Sequence, residues 1–255
     1  MSIPLRALLF RRTGEPDEIS IEVDGAAYAV RLRRHAQARR YTLRFNVASR
    51  EVVLTMPRRG SLKQAHAFAR KHGGWIAARF GRLPQPAPFA HGALVPLRGI
   101  DHRVEHRPHS RGTVWTEASS DGTPLLCVAG DAPHLARRLT DFLKREAKRD
   151  LERASRRAAD ELGVAIKRVS VRDQVSRWGS CSTTGALSYS WRLILAPPFV
   201  LDYLAAHEVA HLAEMNHSPC FWRLVERLCP EFRKAKAWLD AHGAGLYRYG
   251  TGAEG

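Results

Sequence analysis

The chain has 255 residues, a formal net charge of +16 and an isoelectric point near 10.5. Hydrophobic residues make up 44% and charged residues 26% of it, which allows a sizeable core and argues against wholesale disorder. No apolar run approaches the roughly 20 residues that cross a bilayer. The apolar run in MSIPLRALLFRRTGEP is too short for a secretory signal, and its charge follows that run instead of preceding it. A cytoplasmic protein with no membrane partner is expected. Cys127, Cys181, Cys220 and Cys229 are scattered with no CxxC pair, which argues against a disulfide scaffold and a cysteine zinc cluster.

Residues 1–20 read as a flexible lead-in. ISIEVDGAAYAVRLRR alternates apolar and polar residues, as a hairpin with DG at its turn would. RRYTLRFNVASREVVLTMPRRG repeats the alternation and turns at Ala48–Ser49. Ser61 caps a helical stretch, SLKQAHAFARKHGGWIAARFGRL, with a break expected at Gly73–Gly74. PQPAPFAHG is a linker, and ALVPLRG, HRVEHR, GTVWTEA and PLLCVAG read as short strands. Leu135, Leu139, Phe142, Leu143, Ala147 and Leu151 form the stripe of a long amphipathic helix that Gly163 ends. VAIKRVSVRDQ and ALSYSWRLILAP are two strand-like runs around RWGSCSTTG. Pro197–Pro198 opens the helix FVLDYLAAHEVAHLAEM, NHSP breaks it, and CFWRLVERLCP and EFRKAKAWLDAHG are the last helices. No internal repeat is evident. Basic residues crowd Gly25–Ile100, where Glu51 is the only acid near the strands; such a field attracts polyanions.

The chemistry lies in AAHEVAHLAEMNHSPCFW. His207 and His211 are four apart, on one face of a helix, where two imidazoles can clamp a metal at about 2.0–2.1 Å. Glu208 projects beside that metal and can take a proton from the water it activates. A third ligand is needed. His217 follows the break at Asn216, Ser218 and Pro219, so the chain can return it to the metal; Glu214 is the rival. Two histidines and a glutamate on a mostly apolar helix cost several kcal/mol unless paired or ligating, which weighs against a solvated helix face. Tyr189, Tyr203, Tyr247 and Tyr249 are weaker candidates, read first as packing residues. Cys181 and Cys220 read as small apolar fillers.

RWGSC (Arg177–Cys181), WRLILAP (Trp191–Pro197), VxDYxxxHExxH and NHSxxFW (Asn216–Trp222), in that order, closely resemble the YgjP-like metallopeptidase family, related to the SprT-like zinc proteins. Ser190 departs from it, since the family usually has Asn before WRL. The resemblance implies an α+β, zincin-like metallopeptidase domain whose HExxH helix lies beside a β-sheet. It implies one zinc per chain held by His207, His211 and His217, with Glu208 as general base. It also implies that Arg177, Trp178, Gly179, Ser180 and Cys181 flank the cleft as substrate-binding residues. ALSYSWRLIL is either an edge strand that pairs with an extended peptide or a buried interior strand.

The expected organisation is a lead-in (1–20), a small basic β-rich region with one helix (21–130), the catalytic domain (131–245) and a tail (246–255). The leading reading is a zinc-dependent metallopeptidase acting on a peptide or protein substrate. The basic N-terminal region would suit nucleic acid or nucleotide contact, and by fold-level analogy the substrate could be a nucleic-acid-associated protein. Two alternatives are a nucleoside triphosphate pyrophosphatase on the same metal site and a non-catalytic zinc module that grips nucleic acid. The pyrophosphatase reading lacks a P-loop and an acidic cluster.

Overall fold

The computed structural model describes residues 9–10, 16–46, 49–83, 85–174 and 177–250. Most of the lead-in and the turn at Ala48 lie outside them. The chain divides into two compact units, 1–83 and 84–255, and is α+β throughout.

In the first unit, β1 (Leu9–Phe10), β2 (Glu18–Val23), β3 (Ala26–His35), β4 (Thr42–Asn46) and β5 (Glu51–Pro57) form one sheet. β2 and β4 run antiparallel to β3 and β5, and β3 and β5 run parallel to each other. Glu18–Ser20 thus belong to a strand, not to the lead-in. Strand alternation buries Val30, Val52, Leu54 and Met56 on one face. There they pack with Ala65, Ala69 and Ile76 of the helices α1 (Leu62–Lys71) and α2 (Gly73–Gly81). Ser61 and Gln64 form a capping box at the start of α1. α2 begins at Gly73, where a Cβ would lie 2.7 Å from Val23 Cγ2. Buried Arg34 donates to the carbonyls of Pro57, Arg58 and Gly60 and so shapes the turn into α1.

In the second unit, β6 (Leu94–Leu97), β7 (Ile100–Arg107), β8 (Val114–Ala118) and β9 (Pro124–Ala129) make a sheet of order β6-β7-β9-β8. The long helix α3 (Leu135–Leu162) follows. β10 (Arg168–Arg172), β11 (Gly179–Cys181) and β12 (Ala186–Ser190) form a smaller sheet in the order β10-β12-β11. A 3-10 turn at Trp191–Leu195 leads to α4 (Pro198–Ala213), α5 (Pro219–Leu228) and α6 (Phe232–Leu246). Val95, Val104, Leu126 and Val128 share one core with Leu139, Leu143, Tyr189 and Val209. The 94–129 sheet therefore groups with the helical part, and the division falls at 83/84 where sequence reading placed it at 130/131. Basic charge and strand content had tied that sheet to the N-terminal segment; its apolar face ties it to α3. The expected tail is partly ordered, because Ala87 pairs with Tyr249, accepting from Gly250 N and donating to Arg248 O at 2.9 Å each.

The two larger sheets are copies of one topology. In each, a two-residue turn with both φ positive (Asp24–Gly25 at 50° and 77°, Arg98–Gly99 at 54° and 77°) joins an antiparallel hairpin. The second hairpin strand pairs in parallel with the fourth, and the third closes the edge. Gly25 and Gly99, Val30 and Val104, and Val52 and Leu126 each stand 74 residues apart, so even the parallel register is repeated. A repeat not evident in the residues is thus present in the topology. In common are the turn glycine, inward valine or leucine positions and the outward arginine at 33 and 107.

The two turns differ in surroundings. Arg98 N donates to Ile194 O at 2.7 Å, Gly99 N to Leu195 O at 3.2 Å, and the Arg98 side chain to Asp150 and Glu146 of α3. A Cβ on Gly99 would lie 2.9 Å from Pro197 Cα, whereas one on Gly25 meets nothing within 4 Å. Gly25→Ala should cost about 1 kcal/mol, from backbone strain alone. Gly99→Ala should cost about 2–4 kcal/mol, because overpacking adds to the strain. Urea denaturation of both variants checks the difference.

Candidate metal centre

α4 is apolar on nearly every side, and Val200, Leu201, Leu204, Ala205, Val209 and Ala210 are buried. Its last two turns carry His207 and His211, whose rings lie 5.1 Å apart. The helix stops at Ala213 because Glu214 takes an extended conformation, φ −142° and ψ 105°. Asn216 O then accepts from Ser218 N at 2.8 Å, and Ser218 caps α5 by accepting from Phe221 N at 3.2 Å. This short reversal returns His217 to α4. One ligand atom from each of His207, His211 and His217 lies within 4.8 Å of the others.

The donor set fits a divalent metal. Nε2 of His217 and Nε2 of His207 lie 3.1 Å apart. Two neutral imidazole lone pairs that close repel unless a cation or proton sits between them, and two nitrogens on one tetrahedral zinc would lie about 3.3 Å apart. His211 Nδ1 lies 3.1 Å from Glu214 O, so a proton on Nδ1 leaves Nε2 free to ligate. Burial, together with charge repulsion from the other two histidines, pushes His207 down to about 4; burial likewise lowers His211. Both rings therefore stay neutral and ready to donate. Buried Phe221 packs beneath them, 4.5 Å from His211 and 4.9 Å from His207. The Glu214 carboxylate instead accepts from Asn216 N at 3.4 Å within the turn, so its part is to shape the reversal.

Glu208 is directed at the small sheet, against β11. It is only 4% exposed. Burial raises its carboxyl to about 7, against the lowering effect of the Arg177 guanidinium. A metal cation at the histidines would pull it back down. Its close neighbour is β11: a Cβ on Gly179 would lie 2.5 Å from Glu208 Oε1 and 2.8 Å from Cδ. The glycine of RWGSC is therefore a steric requirement of the carboxylate. That reason was not legible in the motif.

The remaining RWGSC residues divide. Arg177 is exposed and acts on Glu208 through its charge. Trp178 packs against Tyr247, 5.1 Å between rings, and against Gly243 of α6, so it anchors that helix. Ser180 and Cys181 pair with Ser188 and Leu187 of β12. Burial and the Glu208 charge push the Cys181 thiol up to about 11, which keeps it protonated. β12 is the central strand, so the interior alternative for ALSYS holds, and β11 is the edge beside α4. The expected continuation of that strand through WRLIL is replaced by the 3-10 turn, which Ser190 Oγ starts by accepting from Arg192 N at 3.4 Å. Tyr189 is fully buried with its hydroxyl 3.0 Å from Ser155 Oγ, and Tyr203 stacks on Phe232. Tyr247 donates to Gln174 O at 3.2 Å.

Sequence reading passed over Arg192. It is 7% exposed and donates to Asp173, Leu246 O and Tyr249 O while lying over the Trp191 ring. It fastens the end of α6 to the small sheet. A charged residue inside an apolar run, WRLIL, was the available signal.

Three clustered imidazoles, two from α4 and one from the turn after it, stand with a buried carboxylate that follows the first of them in α4. The family model for the YgjP-like metallopeptidase domain matches residues 41–242, and the chain belongs to that family. A solved metallopeptidase zymogen, abylysin of Pyrococcus abyssi, is 28% identical over 39% of this chain and 97% of its own, with a TM-score of 0.34. No curated protein matches the chain. Among the described residues no helix is long and apolar enough to cross a membrane.

His217→Ala should lower metal affinity by more than about 100-fold, since loss of a ligand exceeds loss of an outer partner. Glu214→Ala should stay within about tenfold, because its contact to His211 comes from the backbone. Metal content after dialysis distinguishes the two. Gly179→Ala should keep its metal but displace Glu208, with a loss of turnover of about 100-fold.

Proposed function

We propose that the chain is a zinc-dependent peptidase with a zincin-like catalytic unit. One zinc is held by His207, His211 and His217, and Glu208 is the general base. The observation that carries this reading is Glu208 itself, a carboxylate kept dry beside three imidazoles that could hold a metal without it. A purely structural site has no use for such a group. Three imidazole ligands suit zinc and leave a position open. Zinc, when bound, supplies Lewis acidity that polarises a carbonyl and acidifies water. Glu208 accepts the proton as water attacks the peptide carbon, then passes it to the leaving amine. Its burial makes it a stronger base than a solvated carboxylate, and the Arg177 charge offsets part of that rise.

The outer edge of β11 supports the choice of peptide as substrate. An extended chain can add to that edge as a further strand through main-chain hydrogen bonds, which hold many sequences alike. The same sheet edge packs Glu208, so a strand added there lies beside the base.

The test uses pure full-length protein, an unstructured protein and a nucleoside triphosphate as substrates. Peptide cleavage is expected, to be abolished by a chelator and restored by zinc. Glu208→Gln should lower it by about 10²–10⁴-fold with metal content unchanged. Glu208-dependent hydrolysis of the triphosphate with no peptide cleavage would overturn the peptidase assignment.

A further inference from the structure

The duplicated sheets carry opposite surfaces at equivalent positions. In the second sheet, the face away from the core displays Glu105, Arg107, Trp115 and Glu117. There Arg107 bonds Glu105 at 2.9 Å and Glu117 at 2.7 Å, and Trp115 Nε1 donates to Glu117 at 2.8 Å. One arginine is satisfied by two carboxylates, and Cys127 beneath them is buried. The repeat places Arg31 where the second sheet has Glu105, Arg33 where it has Arg107, Arg44 where it has Trp115 and Asn46 where it has Glu117. Arg33 thus stands in Arg107's position with both carboxylates replaced. Among the described residues neither Arg33 nor Arg44 has an ion-pair partner, and both are exposed. Arg31 reaches Glu51 only at 3.6 Å, with its side chain 61% exposed.

We propose that the open face of the N-terminal sheet, centred on Arg31, Arg33 and Arg44, binds the phosphate backbone of a nucleic acid duplex. The face is a rigid platform: Arg44, Val53, Arg31 and Glu18 lie in one cross-strand row, and Arg33 is two residues along the same strand as Arg31. Exposed Glu18 and Glu22 sit on β2 at one edge of the sheet, so the basic area is the part formed by β3 from Arg31 onward and by β4. Guanidinium forks fixed on strands suit phosphate, which takes them two bonds at a time. Exposed Arg39, Arg40 and Arg59 extend the positive charge over the loops at the adjoining end. Among the described residues no aromatic side chain stands on this face, since Tyr28 and Phe45 pack against Phe80 and Tyr41 against Phe68. A single strand therefore finds no stacking platform among them, and Val53, half-buried between Arg31 and Arg44, offers a lipid surface little apolar area. Backbone contact without base reading leaves duplex binding indifferent to sequence. The inference stands apart from the reaction at the histidine site.

The experiment measures binding of the full-length protein to a random-sequence duplex by fluorescence anisotropy over a range of salt. Arg33→Gln/Arg44→Gln should reduce the slope of log affinity against log salt by about 2, near 0.9 for each phosphate no longer neutralised. Arg145→Gln/Arg156→Gln on α3, which removes the same charge elsewhere, should leave the slope unchanged. Arg31→Glu/Asn46→Glu restores in the first sheet the carboxylates of the second and should weaken binding more than tenfold, with urea denaturation unchanged. A single strand of the same sequence should bind more weakly than the duplex. Equal losses from the sheet and α3 variants would overturn the proposal, because net charge alone would then account for binding. So would polyglutamate binding that depends on Arg33 and Arg44 in a protein that ignores the duplex.

Discussion

Burying Glu208 in an otherwise apolar environment carries a cost that the rest of the second unit is arranged to meet. An isolated carboxylate removed from water either pairs or protonates. Glu208 has the Arg177 charge to favour its ionised form and follows His207, one of the three clustered histidines, in α4. α3 and the 3-10 turn hold α4 from behind. Phe221 fixes the rings from below. The Arg98–Gly99 turn grips both α3 and the 3-10 turn, so a hairpin far along the chain from the histidines still sets where α4 sits. Each of these contacts makes sense as a restraint on a helix whose polar residues tolerate little displacement.

The two larger sheets share a strand order and differ in what surrounds them. In the second copy the turn is a clamp, with Arg98 held by Glu146 and Asp150. In the first copy the equivalent Asp24–Gly25 turn touches nothing within 4 Å of its glycine. The outer faces diverged in the same sense. Glutamates neutralise Arg107 in one, and arginine and asparagine replace them in the other.

The cluster of three histidines was legible because its signal is local. Four-residue spacing on a helix and a turn sequence between two helices are properties of short windows, and HEVAH and MNHSP supply both. The Ser61 cap and the Gly73 break were legible for the same reason. What failed is what depends on distant partners. WRLIL is an unbroken apolar run, and a buried run does not tell a strand from a 3-10 turn; Ser190 bonding to Arg192 N decides it. The unit boundary depended on which core Val104 and Leu126 join, and their sequence pattern fits either. The repeat was hidden because strand topology survives once a turn glycine and alternate apolar positions are kept, and other positions drift. Gly179 was visible as part of RWGSC, but its purpose rests on Glu208, 29 residues away in the sequence.

That contact between Gly179 and Glu208 couples two functions that are usually assigned to separate residues. β11 is an edge strand, so its outer backbone groups are where an extended chain would add. Its inner surface at Gly179 is where the carboxylate rests, with no side chain between them. Any shift of β11 that improves the fit of a peptide therefore also moves the support of the base. A larger residue at 179 would separate the two and let the carboxylate swing. With glycine there, the position of Glu208 is set by the strand backbone itself, which β12 holds in register through Tyr189 and Ser188. Tyr189 is in turn fixed to Ser155 of α3. The Glu208 carboxylate and the open edge of β11 thus share one rigid reference, and the buried tyrosine at first read as simple packing is what ties that reference to the long helix.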